Sequence, residues 1–452
     1  MKLAFLINRA NNFRHFASII ETALKRGHTV ECWHDYYSTS KDSAKGYIFP
    51  EISKSPFAGL NDKNFTAKAF TAESEHNRAV TARTDIDYFI SLSPPEFILD
   101  KAFLDSFRGN WVMIMHGPDS FKEIKNIKPG EMGHGFRRIF SPYTENFFNE
   151  GLAFFKSHVK NGLTYFAPEH TEIHPVGCTM FGPELLTINK SAIRRKFGIP
   201  PLKNILVYLP YTYSDSKKHK KSFAWQAAFA GLHIKRRIRK EFENNAFTID
   251  PLLWRFSRNL SALQRILQEP VGRKWLFNGW NEPAVITAVR AFCDANNLHL
   301  VVKPRRKFDF SEAVYEKADL IIDDDESQQY PSKLQELLSI AELCMGYFST
   351  AVIESIYCGT PFINLQCPDE LFYDPHQHFW CPTSEGSLFS LNGAVWGHKI
   401  PDFIRDFGSA PLKKYQMTEM KREEYMKKFT GMITPSAAEN LLNHLEAKNL
   451  SL

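Results

Sequence analysis

The chain has 452 residues, of which 43% are hydrophobic and 23% charged, with a formal net charge of +6. These proportions exclude a disordered protein, and the length suffices for about two domains, each with its own core. The mildly basic balance suits phosphorylated substrates or an anionic membrane face but is too weak to argue for nucleic acid, and no base-reading motif supports that partner.

Seven cysteines (Cys32, Cys178, Cys293, Cys344, Cys358, Cys367 and Cys381) are scattered without a C-x-x-C pair. They read as free buried thiols of a reducing compartment. The basic, apolar start Met1–Ile7 stops at Asn8 and Arg9, too short for the apolar region of a signal peptide. No run approaches ~20 apolar residues, so no transmembrane helix is expected. The expected location is cytoplasmic.

In chain order, a buried-strand run Leu3–Ile7 leads through the polar loop Asn8–Asn12 to Phe16, Ile19, Ile20, Ala23 and Leu24 at helical spacing. Gly27 closes that helix, and Thr29–Trp33 follows as a second strand. This is the βαβ opening of a Rossmann-like domain. It lacks G-x-G-x-x-G, so its first turn is not expected to grip a pyrophosphate; Asn8 and Asn11 are expected to line a cleft and face an acceptor. Further strands are expected at Tyr88–Leu92, Trp111–Met115, Arg138–Ser141 and Leu163–Phe166.

Glycines and a proline near Val176–Pro183, then a helix Ile193–Phe197, mark a crossing near residues 180–200. A fresh α/β series begins there with Asn204–Leu209, Leu298–Lys303, Ala318–Ile322, Leu343–Phe348 and Pro361–Leu365. The expected domains are therefore 1–190, 191–430 and a helical tail, 431–452, that caps the first domain. Within the second, residues 216–273 break the alternation and carry Lys217–Lys221 and His233–Lys240 beside Phe223, Trp225, Phe229, Trp254 and Phe256. This reads as a helical insertion. Such a basic, aromatic segment can lie on anionic lipid at the inner face of a membrane or bind a polyanionic acceptor, although a solvated charged face is the plainer reading.

Four motifs carry chemistry. In Leu343–Leu365 a strand passes through Ser349 and Thr350 into a helix bearing Glu354. Hydroxyls and unpaired backbone N–H groups at such a handover suit a phosphate, and the carboxylate one turn later suits the hydroxyls of a ribose or polyol. At the end of Trp111–Met115 stand His116, able to take a proton from an attacking hydroxyl near neutral pH, and Gly117, which lets backbone approach a substrate. Tyr211 and Thr212 open a hydroxyl-rich loop after Asn204–Leu209 that would line an interdomain cleft. Lys303, Arg305 and Arg306 end another strand, a self-repelling cluster for which a diphosphate is a reasonable counter-ion. Asp323–Glu326 reads as a solvated loop, the pair His376 and His378 lacks nearby matching ligands and reads as non-metal, and no metal or cofactor is expected.

Met115–Gly117, Val207–Asp215, Lys303–Pro304 and Phe348–Glu354, in that order, resemble the CDP-glycerol glycerophosphotransferases and, in part, GT-B glycosyltransferases of bacterial surface polysaccharide synthesis. The likeness spans about residues 110–370. Met115 stands where that family has tryptophan, Lys303 where it has a second histidine, Ser214 where it has arginine, and Gly346–Thr350 where it has Asp-Tyr-Ser-Ser. The resemblance implies an α/β GT-B fold, two Rossmann-like domains facing a cleft, with acceptor on the first and nucleotide donor on the second. It implies His116 as general base. It also implies transfer of a sugar or polyol phosphate from a CDP-, CMP- or UDP-linked donor to a hydroxyl of a glycan or polymer acceptor. Replacement of the second histidine lets a sugar donor enter on equal terms. A nucleotide-sugar 2-epimerase and a non-catalytic member that binds glycan or lipid are the alternatives.

Overall fold

In a computed structural model of the chain, the described residues are 1–37, 50–93, 95, 98–115, 137–141, 144, 147, 171–210, 282–304, 312–323, 329–347, 349–366, 385–431 and 435–449. They form two parallel sheets, one after the other along the chain. The first has seven strands, β1 (Lys2–Ile7), β2 (Thr29–Asp35), β3 (Phe65–Phe70), β4 (Tyr88–Ser91), β5 (Trp111–Ile114), β6 (Arg137–Ser141) and β7 (Thr171–Pro175). Their order across the sheet is β3-β2-β1-β4-β5-β6-β7. The second has six strands, β8 (Asn204–Leu209), β9 (Leu298–Val302), β10 (Leu320–Ile321), β11 (Leu343–Gly346), β12 (Phe362–Gln366) and β13 (Val395–Lys399), in the order β10-β9-β8-β11-β12-β13.

Each sheet is doubly wound. From β1 the chain works outward to β3, then returns to the other side of β1 with β4, and β8 and β11 repeat that reversal in the second sheet. A crevice opens at such a reversal beyond the carboxyl ends of the strands, because the connections on its two sides leave toward opposite faces. The helices of the first layer set are α1 (Phe13–Lys25), α2 (Glu73–Ala82) and α3 (Lys101–Ser106). In α1, Phe13, Phe16, Ala17, Ile20 and Ala23 recur at helical spacing and are buried. Gly27, at φ +79°, then takes the left-handed conformation that ends the helix at little steric cost.

The second layer set contains α4 (Lys190–Phe197), α5 (Glu282–Ala295), α6 (Glu312–Lys317), α7 (Lys333–Leu338), α8 (Ala351–Tyr357), α9 (Ile400–Asp406) and α10 (Glu419–Phe429). Tyr425, Met426 and Phe429 of α10 share a core with Val352, Ile356 and Tyr357 of α8. The last helix, α11 (Ala437–Asn449), belongs elsewhere. Its Leu441, Leu442 and Leu445 are buried with Phe16, Ile19 and Ile20 of α1, so the chain returns to the first sheet at its end.

That return runs beside the outgoing connection. Gly177 has φ +93°, and a Cβ there would lie 2.9 Å from the Thr430 carbonyl oxygen. Backbone meets backbone at this point, which only glycine permits in that conformation.

Three strands escape the pattern of the sequence, and all three are sheet edges: β3, β7 and β13. An edge strand is paired on one side only, so it needs no continuous apolar run. Only Phe70 of β3 is buried, and only Val395 of β13. The expected strand at 163–166 and the expected insertion at 216–273 lie outside the described residues. Cys32, Cys178, Cys293 and Cys344 are buried free thiols, and Cys358 is a half-buried one.

Candidate functional site

The second sheet presents its carboxyl end through β8, β9 and β11. Lys303 follows β9 directly; its backbone N–H donates to the Tyr208 carbonyl at 3.0 Å, and the residue is only 6% exposed. Gly346 ends β11 opposite Leu209 of β8, and a Cβ at Gly346 would stand 3.1 Å from Leu209 Cβ and 3.3 Å from its carbonyl oxygen. The missing side chain lets the two strands beside the reversal close up.

Ser349 and Thr350 then turn the chain into α8 and are half-buried. Ser349 Oγ accepts the Ala351 N–H at 3.2 Å, while the Ser349 and Thr350 carbonyls take the Val352 and Ile353 N–H groups at 3.0 Å each. Glu354, within α8, is fully buried. The sequence thus brings Lys303, Ser349, Thr350 and Glu354 to one end of one sheet.

Beneath this end lies a polar cluster that no motif announces. Glu282, the first residue of α5, accepts the Tyr208 hydroxyl on one carboxylate oxygen and the Tyr347 hydroxyl, at 3.3 Å, on the other. The two hydroxyls are 3.2 Å apart, and all three residues are buried. Burial, reinforced by the adjacent carboxylate, pushes the Tyr208 hydroxyl well above its ordinary pKa, so the phenol stays protonated and donating. Tyr208 and Tyr347 end or follow the strands on either side of the reversal, and Glu282 ties the start of α5 to both.

On the first sheet, β1 passes through Asn8, Arg9 and Asn11 into α1. The Arg9 N–H donates to Asn12 Oδ1 at 2.6 Å, a side-chain turn that fixes the chain before the helix starts. Asn8 and Asn11 are half-buried there, beside the reversal of the first sheet.

At the second residue of α1, Arg14 reaches the other half of the molecule. Its Nε donates to Glu354 Oε1 at 2.9 Å, and its Nη2 pairs with Oε2. The connection between the halves is gripped from both sides close by. Ser18 Oγ of α1 donates to the Thr179 carbonyl at 2.7 Å, Gln335 Nε2 of α7 to the Met180 carbonyl at 2.9 Å, and Tyr357 OH of α8 to the Gly182 carbonyl at 3.2 Å. Phe181 stacks on Tyr357 with ring centroids 4.2 Å apart.

His116, Gly117, Tyr211, Thr212, Arg305 and Arg306 lie outside the described residues. Their described sequence neighbours Met115, Pro210 and Pro304 come directly after or close behind β5, β8 and β9. Sequence reasoning missed Arg14, Glu282 and the two tyrosines. The only signal for Arg14 was a cation in the first turn of an amphipathic helix, close behind the polar loop Asn8–Asn12. Among the described residues no group of three or more His, Cys, Asp or Glu side chains could hold a metal ion, and no helix is long and apolar enough to cross a membrane. A surface depression of about 380 Å³ between α5 and α9, lined by Ala284, Ala288, Ile404 and Arg405 among others, contains none of the expected site residues.

Two Rossmann-like halves with facing crevices define the GT-B class of transferase folds, and comparison with solved structures supports that assignment along the whole chain. The wall teichoic acid polymerase TagF matches with a TM-score of 0.52 at 11% identity, covering 99% of this chain and 89% of that one. A histidine variant of TagF soaked with CDPG for 15 minutes matches with a TM-score of 0.50 at 10% identity, covering 99% and 88%. No protein-family model and no curated protein matches the sequence. The chain therefore has the GT-B fold.

Proposed function

We propose that this chain is a nucleotide-dependent transferase that moves a sugar or polyol phosphate from a nucleotide-activated donor to a hydroxyl of a glycan or polymer acceptor. The observation that carries the reading is the set Lys303, Ser349, Thr350 and Glu354 at the carboxyl end of the second sheet, tied to the first half by the pairing of Glu354 with Arg14. A cation, two hydroxyls and a carboxylate in one crevice match a phosphorylated ribose: phosphate oxygens for the first three, vicinal hydroxyls for the last. In this reading residues 191–430 hold the donor and residues 1–190 the acceptor. His116 deprotonates the acceptor hydroxyl, Arg305 and Arg306 neutralise the departing nucleotide, and Tyr211, Thr212 and Gly117 line the cleft. In this reading the protein works in the cytoplasm, at the inner face of a membrane.

The likeness to TagF, a variant of which was soaked with CDPG, makes cytidine nucleotides the first donors to try. The test is a thermal-shift comparison of CDP, CMP, UDP and GDP, since a ligand that binds only the folded state raises the melting temperature by mass action. A selective shift, lost in Ser349→Ala and in Lys303→Ala, supports the reading and names the base. No shift with any nucleotide at millimolar concentration overturns it.

A further inference from the structure

The contact between Arg14 and Glu354 carries an inference that rests on the donor reading above. Glu354 has no exposed side-chain surface, whereas the Arg14 side chain is 26% exposed, so the guanidinium stands between the carboxylate and solvent. Both carboxylate oxygens already face charged donors from Arg14: Nε to Oε1 at 2.9 Å, and Nη2 to Oε2. A carboxylate covered in this way keeps lone pairs but no accessible surface, so the two hydroxyls of a ribose or polyol reach it only if Arg14 moves. The seal comes from α1, 340 residues away in sequence, at the crevice of the opposite half.

We infer that Arg14 is a donor-binding residue supplied by the first half, which exchanges partners when a donor enters. The vicinal hydroxyls take its place on Glu354, and the guanidinium moves to the donor's phosphates. Charge pairing is conserved through the exchange. The guanidinium is permanently charged, and its planar fork suits a phosphate as well as a carboxylate. The two ligand parts therefore feel Arg14 with opposite sign. A nucleoside without phosphate must displace the arginine and offers it nothing in return, while a nucleoside diphosphate offers it a new partner.

Titration calorimetry with cytidine and CDP, or with the matching pair for whichever base the wild type prefers, reads this directly. Arg14→Met should bind the nucleoside several-fold more tightly and the diphosphate about tenfold more weakly, the scale of one charge-assisted hydrogen bond. Adding Glu354→Gln should abolish the gain for the nucleoside. Arg14→Lys keeps a cation over Glu354 and guards against misfolding; it should weaken the diphosphate, because an ammonium cannot reproduce the fork. If either folded variant moves both ligands in the same direction, or leaves the ratio of their affinities unchanged, the exchange is refuted. A wild type that binds neither ligand would instead bring down the donor reading itself.

Discussion

Glu31 on β2 offers a measurable test of how the first sheet is held. Its side chain is 5% exposed and is ringed by donors: Arg83 Nη2 at 2.8 Å, Lys68 Nζ at 2.6 Å, Lys2 Nζ at 3.0 Å and Trp33 Nε1 at 2.9 Å. Burial alone would raise its pKa, but hydrogen bonds from Arg83, Lys68, Trp33 and Lys2 outweigh it and hold the carboxyl at about 2, against an ordinary 4.5. That difference is equivalent to about 3 kcal/mol of folding free energy. Because the folded pKa lies below the unfolded one, this contribution is complete above pH 4.5 and disappears as pH falls through 2. Glu31→Gln keeps the shape and removes the charge, leaving three cations around a neutral amide. It should cost about 3 kcal/mol near pH 7, with the gap to wild type closing between pH 4.5 and 2. Urea unfolding followed by tryptophan fluorescence suits the measurement, since Trp33 bonds to Glu31 itself. A loss below about 1 kcal/mol at pH 7, the range of an exposed surface pair, would refute the argument. So would a gap that stays constant down to pH 2.

Three further expectations follow from particular residues. His116→Ala should lower turnover by about 10²-fold or more with an unchanged circular dichroism spectrum, as for loss of a general base; turnover like the wild type removes the assignment. Gly177→Ala places a Cβ 2.9 Å from the Thr430 carbonyl oxygen at φ +93° and should destabilise by about 2 kcal/mol in urea, whereas an unchanged midpoint would mean the two crossing segments separate freely. Burial lowers the His76 pKa from 6.5 to about 4 and keeps the ring neutral, with Nδ1 2.8 Å from the Tyr37 hydroxyl. The unfolded chain therefore takes up that proton first. Stability should fall as pH drops from 6.5 toward 4, by up to about 1.4 kcal/mol per unit, and a His76→Phe variant that shows the same slope would contradict this origin.

The amino-acid sequence determined the winding of both halves. Continuous apolar runs such as Leu3–Ile7, Asn204–Leu209 and Leu343–Gly346, separated by helix-length segments, can be satisfied only as central parallel strands covered on both faces, and there the structure has them. Because every connection leaves from the carboxyl end of a strand, the same reading fixed where Lys303, Ser349, Thr350 and Glu354 would gather. Edge strands β3, β7 and β13 were illegible because half-covered pairing leaves no apolar signature. Tertiary structure alone decided what touches what across the halves. The fully buried Glu354 meets Arg14 over 340 residues of sequence, and within the second half Glu282 meets Tyr208 over 74. Periodicity records which face of an element is apolar. It holds no record of which distant polar group will arrive to satisfy a buried charge, because that is settled only when two separately folded layers come within hydrogen-bonding distance.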